Sequence, residues 1–188
     1  MRIERGFTLM ELLVTLAVAG VLMTIAVPNF RTLIQNSRLT TEINTMVGTL
    51  TVARSKAVEL GGNTVVSVCP GTVSTSGTVT CGGSSTWANG WVVYSATYSS
   101  SGCTTGTKTA IRAYPALPAG NTLTAGSTAS ITFLSSGLLC GAAAAMDFIF
   151  CDSRLASYGR VVNLAITGRA QASSTVGEKI DGTALTSC

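Results

Sequence analysis

The chain has 188 residues, with 12 Lys or Arg, 8 Asp or Glu, a formal net charge of +4 and no His. Without His, a Ser-His-Asp or Cys-His nucleophilic site and any His-ligated zinc are excluded; no catalytic constellation, metal or cofactor is expected. Charged residues make up 11 % of the chain, against about 25 % in an ordinary soluble domain, and this deficit together with six Cys points to a compartment outside the cytosol.

The leader Met1-Arg2-Ile3-Glu4-Arg5-Gly6 is short and polar. Residues 7–27 then read FTLMELLVTLAVAGVLMTIAV, with Glu11 as the single charge. At 1.5 Å rise per residue such a helix spans roughly 30 Å, enough for a bilayer core. Arg2 and Arg5 favour a cytoplasmic N terminus, although Arg31 and Arg38 on the far side weaken the bias. A cleaved secretory signal is the alternative, and Ala17-Val18-Ala19 would offer its cleavage site. Such a signal has an apolar core of about 7–15 residues, whereas the run here continues through that triplet to Val27. Glu11 requires a reason, because a carboxylate at membrane depth costs on the order of 3 kcal/mol. Either it snorkels at the interface or it meets a cationic partner on another molecule.

The stretch Arg5-Gly6-Phe7-Thr8-Leu9-Met10-Glu11-Leu12-Leu13 resembles the class III signal of type IV pilins and type II secretion pseudopilins. The resemblance implies cleavage between Gly6 and Phe7 by a membrane aspartyl peptidase, then N-methylation of Phe7. It also implies that Glu11 pairs with the N-terminal amine of a neighbouring subunit during assembly. Pro28 ends the apolar run and is similar to the helix-softening Pro that such pilins carry at the membrane exit. Beyond it, Phe30, Leu33, Ile34, Leu39, Ile43, Met46, Val47, Leu50, Ala53, Ala57 and Val58 recur mostly at three- and four-residue steps. This predicts one amphipathic helix to about Leu60, stopped by Gly61-Gly62.

Residues 60–107 contain no Asp, Glu, Lys or Arg. Strand-like runs argue against a disordered linker there: residues 63–69 (NTVVSVC) and 91–95 (WVVYS) are β-branched or aromatic. Later runs are residues 108–114, 130–135, 147–151 and 160–167. Residues 88–90 and 135–137 read as turns, and residues 71–86 and 97–107 as long loops. Six to eight short strands after one long helix make an α+β domain with an antiparallel sheet. Trp87 and Trp91 are expected in its core.

The order Trp87-x-x-Gly90-Trp91, Ile131-x-Phe133-x-x-x-Gly137, Phe148-x-x-Cys151, Arg160-Val161-Val162 and Gly168-Arg169 resembles the GspH/FimT-type minor pilins and pseudopilins. That resemblance implies a pilin fold. Residues 1–6 would be the leader, residues 7–28 the transmembrane and assembly helix, residues 29–60 its amphipathic continuation, and residues 61–188 a periplasmic β-rich head. Six Cys allow about 15 disulfide pairings. We favour Cys69–Cys81, closing a short loop, and Cys151–Cys188, as tails are tied in similar minor pilins, which leaves Cys103–Cys140. Some members of the group bind DNA through Gly-Arg-x-Arg near the C terminus. Here the stretch is Gly168-Arg169-Ala170-Gln171, so one phosphate-binding cation is missing. Arg169 with Arg160, Arg154 and Lys179 are the candidate DNA contacts, and a solvated turn residue is the alternative reading of Arg169.

The expected role is therefore assembly. The chain would sit in the bacterial inner membrane with a periplasmic head and then join a pilus, at its tip. Its partners would be the prepilin peptidase, the inner-membrane assembly platform, other minor pilins and the major pilin. A type II secretion pseudopilin and a DNA-binding competence pilin are the alternatives.

Overall fold

A computed structural model describes residues 8–188 of the chain. They form two compact units, divided after Arg38, and one element, helix α1 (Leu9–Leu60), runs through both.

In the first unit α1 is exposed at nearly every position. An 18-residue window of it has a mean hydropathy of 2.2 with none of its residues buried. Several of its hydroxyl and amide side chains bond within the helix. Thr8 Oγ1 accepts the Glu11 backbone N–H at 3.2 Å, satisfying one of the orphan donors of the first turn. The hydroxyls of Thr15 and Thr24 donate to the carbonyls of Leu12 and Val21. Pro28 lies inside the helix rather than at its end. The Asn29 side chain donates to the Ile25 carbonyl, and Thr32 Oγ1 to that of Pro28, so local side chains supply bonds around the imino acid.

The second unit begins where α1 acquires a buried stripe: Leu39, Ile43, Met46, Leu50, Ala53 and Ala57. These positions share one face at helical spacing. Gly61 and Gly62, at φ 60° and 57°, end the helix in the left-handed conformation that glycine adopts without a Cβ penalty.

Nine strands follow: β1 (Thr64–Val73), β2 (Val79–Cys81), β3 (Trp91–Ser99), β4 (Cys103–Tyr114), β5 (Thr122–Thr124), β6 (Ile131–Phe133), β7 (Met146–Cys151), β8 (Arg160–Leu164) and β9 (Ala170–Ala172). They make two antiparallel sheets, not one. The first has the order β2-β1-β3-β4 with β6 also on β1; the second has the order β5-β7-β8-β9. One core joins the helix stripe to Val66, Val68, Val93 and Phe133 of the first sheet and to Phe148, Phe150, Val162 and Leu164 of the second. Trp87 and Trp91 are both in it. Trp87 meets Phe148 edge-on, and Trp91 stacks on Tyr114 while its Nε1 donates to Thr49 Oγ1 at 3.2 Å.

A second, smaller core lies on the other face of the first sheet, from Val65, Cys69, Val79, Val92, Tyr94 and Ala96. Successive residues of β1 and β3 therefore serve the two cores alternately, as the pleat requires. Disulfides join Cys69 to Cys81, Cys103 to Cys140 and Cys151 to Cys188.

The two predicted long loops are a departure from the sequence reading. Residues 71–86 contain the end of β1, all of β2 and the start of a 3₁₀ turn (Ser84–Asn89), and residues 97–107 are mostly the β3–β4 hairpin. The reason is physical. β4 is an edge strand, exposed or half-exposed at every residue. It shows no apolar alternation, and its threonines are β-branched residues suited to a pleated surface.

Candidate functional site

Gly6 and Phe7, the expected cleavage and methylation positions, lie outside the described residues. Glu11 stands in the first turn of α1, where a carboxylate is favoured by the helix dipole. Among the described residues it forms no ion pair. It is ringed by exposed apolar side chains, including Leu9, Met10, Leu12 and Leu13. Pro28 lies on the same exposed apolar stretch. The terminus is thus a carboxylate on an apolar cylinder, an arrangement suited to lipid and to the helices of other molecules.

The four candidate cations of the head have different surroundings. Arg154 closes on Asp152 with Nε and Nη2, the shortest contact being 2.6 Å, and lies 4.4 Å from the Tyr158 ring centroid. Burial pushes the Asp152 carboxyl up, but the hydrogen bonds from the Arg154 side chain and backbone N–H, with the guanidinium charge, more than offset this and hold it below its ordinary value. Lys179 pairs with Asp147 at 3.3 Å, whose other oxygen accepts from Asn163. Arg160 opens β8 opposite Phe150 and is half-buried. Arg169 is exposed in the turn between β8 and β9. Two of the four therefore have carboxylate partners within the head. The other two stand at opposite ends of β8, on the order of 15 Å of strand apart, beyond the ~8 Å Debye length at physiological salt. The structure thus offers one exposed arginine at the motif position, while two of the other candidates are already paired with carboxylates.

Gly168 of that motif has a packing role. It adopts φ +75°, and a Cβ there would fall 2.3 Å from the Gly137 carbonyl oxygen. Arg54 of α1 donates to that same oxygen at 3.1 Å. Gly137 itself adopts φ +79°. The two motif glycines, distant in sequence, thus form one close backbone approach clamped by the helix. The sequence reading did not single out Arg54. It could have been noticed as a basic residue on the helix next to the buried position Ala53.

Lys108 was also passed over. It ends the uncharged stretch and reaches from β4 to β2, donating to Cys81 Sγ at 3.4 Å with its ammonium 5.1 Å from the centroid of the Tyr94 ring.

Comparisons with known proteins agree with this architecture. Residues 42–168 match the family model described as type II transport protein GspH, and residues 1–27 match the prokaryotic N-terminal methylation motif. No curated protein matches the chain. A crystal structure of the type IV minor pilin FimU from Pseudomonas aeruginosa superposes with a TM-score of 0.54 at 20 % identity, covering 82 % of this chain and 97 % of that one. A second crystal form of the same protein gives a TM-score of 0.49 at 21 % identity, covering 80 % and 97 %. At such identity the likeness of the first concerns the fold, a pilin fold. The family model spans most of the head and the methylation motif covers the terminus with Glu11, so the chain belongs to the GspH family of pilin-like proteins.

Proposed function

We propose that the chain is a minor pilin that helps prime and cap a type IV pilus. The observation that carries this reading is the methylation motif leading into a helix whose first thirty-odd residues bury nothing. A side-chain surface of that kind is stable in lipid or against other apolar helices. In this reading the prepilin peptidase cuts between Gly6 and Phe7, and the new Phe7 amine is methylated. The amine of one subunit then faces Glu11 of a neighbour, and attraction between opposite charges in a low-dielectric layer sets the axial register. The head projects from the inner membrane into the periplasm and then meets other minor pilins and the major pilin at the tip. The assembly platform supplies the movement; the chain itself catalyses nothing.

Replacing Glu11 by Ala tests it. Processing should remain, seen as a normally shifted band, while the amount of protein in sheared filaments should fall at least tenfold. Unchanged incorporation would remove the role given to Glu11.

A second reading, a type II secretion pseudopilin, is favoured by the description of the matched family. Deletion of the gene separates the two: loss of twitching supports the pilus, and loss of exoprotein release supports secretion.

A further inference from the structure

A β-bulge in β4 creates a feature that neither assembly nor the motif residues account for. Ser95 pairs with Thr109 and Thr97 with Thr105, so Gly106, Thr107 and Lys108 stand opposite Ala96 alone. Gly106 supplies the φ of +74° that the detour needs. Bulges of this kind re-aim side chains and are frequent beside functional sites. Here the bulge faces the turn that joins β1 to β2. Ser76, Gly77, Thr78, Val79, Gly106, Thr107 and Lys108 line a cleft of about 380 Å³ between them.

The chemistry of that cleft is one-sided. An ammonium has three N–H donors and no acceptor. Lys108 directs one towards Cys81 Sγ, a weak acceptor, and sits over the Tyr94 ring. Among the described residues it meets no carboxylate within ion-pair distance. No acid is nearby in sequence either, since residues 60–107 carry no charge at all. The cleft walls supply hydroxyls already linked in a chain, Ser74 to Ser76 at 2.8 Å and Ser76 to Thr78 at 3.3 Å, and hydroxyls can turn to donate. Lys108 is half-buried and its contacts with Cys81 and Tyr94 restrain its side chain, so less side-chain entropy is lost when a ligand arrives.

We propose that this cleft binds a small oxyanion, a phosphoryl or carboxylate group, with Lys108 as its counter-charge and the hydroxyls of Ser76, Thr78 and Thr107 as orienting donors. The site belongs to the head and does not depend on whether the chain enters a pilus. Two sources share this chemistry: a phosphate group and an acidic sugar.

Calorimetric titration of the full chain in non-ionic detergent with inorganic phosphate and, separately, with glucuronate tests it. At low salt the expected result is saturable, low-millimolar binding of at least one, and the tighter of the two names the source. Lys108→Met should weaken that binding at least tenfold, Lys108→Arg should retain it within about threefold, and Lys56→Met, which removes a cation elsewhere, should leave it unchanged. Should Lys108→Met lose its near-UV circular dichroism, Thr107→Val on the cleft wall takes its place, with a threefold weakening expected. Absence of saturable binding for both anions overturns the proposal. So does equal loss in Lys56→Met, which would reduce the effect to net charge, or unchanged affinity in Lys108→Met or in the Thr107→Val that replaces it.

Discussion

The two halves of helix α1 both carry many apolar residues, but the structure buries them only in the second. From Leu9 to Arg38 no described side chain is buried, although Leu, Val, Met and Ile recur on every side. From Leu39 to Leu60 eight residues are buried on one stripe, and small or polar residues such as Thr41, Asn44, Thr51 and Ser55 take the other faces. A helix apolar all round needs an apolar surrounding, whereas a striped one needs only a core on one side. The contrast shows that the angular distribution of apolar side chains, together with their number, sets what surrounding a helix needs.

Matched truncations give the largest expected effect. Leu50 is fully buried and Leu16 is 61 % exposed. Leu50→Ala should cost the head about 2–5 kcal/mol, the range for a buried leucine, while Leu16→Ala should leave its stability unchanged. Urea unfolding followed by tryptophan fluorescence reads this well, because both tryptophans, Trp87 and Trp91, lie in the head core. Equal loss from the two variants would mean that the halves do not differ as their burial suggests.

Within the head the covalent ties come next. Cys151–Cys188 joins strand β7 to the last residue across a separation of 37, and Cys69–Cys81 spans 12. Removing the longer tie by Cys151→Ala with Cys188→Ala should cost about 2–4 kcal/mol, largely through the freed unfolded chain. On loop length alone, the shorter tie should cost about 1 kcal/mol less. A larger loss from Cys69→Ala with Cys81→Ala would show that packing in the second core, where Cys69 is buried, outweighs loop entropy.

A glycine pair separates close approach from backbone conformation. Gly168 and Gly77 have φ of +75° and +83°, but a Cβ at Gly168 would meet the Gly137 carbonyl and one at Gly77 would meet nothing within 4 Å. Gly77→Ala should cost about 1 kcal/mol for the left-handed conformation. Gly168→Ala should cost more, about 2–3 kcal/mol, measured by the same unfolding experiment. Equal costs would remove the packing role assigned to the motif glycine.

Much of this was legible in the sequence, for identifiable reasons. The helix and its end at Leu60 followed from periodicity and from Gly61-Gly62. The core strands carried β-branched and aromatic runs, and the two tryptophans were read as core. Short edge strands were not legible: Thr122–Thr124 and Ala170–Ala172 are too brief to show a period, and the threonines of β4 bury too little to alternate. Division into two sheets was also invisible, because it depends on which strands pair. At the basic residues, sequence showed charge but not its neutralisation. Arg154 and Lys179 read as free cations, and each has found a carboxylate.

That last difference yields the smallest effect, in how the head responds to acid. Asp152 has its ordinary value near 3.8 in the unfolded chain and a lower one when folded, because Arg154 more than offsets the cost of burial. A carboxyl depressed by folding adds stability that is present above the unfolded value and is lost as pH falls through the folded one. Asp152→Asn removes the ion pair and cannot titrate. The wild type should therefore exceed this variant by about 1 kcal/mol between pH 5 and 7, because the Asp152 carboxylate is buried but Arg154 stays partly exposed and screened, and the gap should close below about pH 4. Asp181 is also held low, by the Thr183 hydroxyl and backbone N–H, but it titrates alike in both proteins and cancels from the difference. Unfolding at several pH values measures the gap. A constant gap down to pH 2 would mean that shape and hydrogen bonding at Asp152, not its charge, hold Arg154 in place.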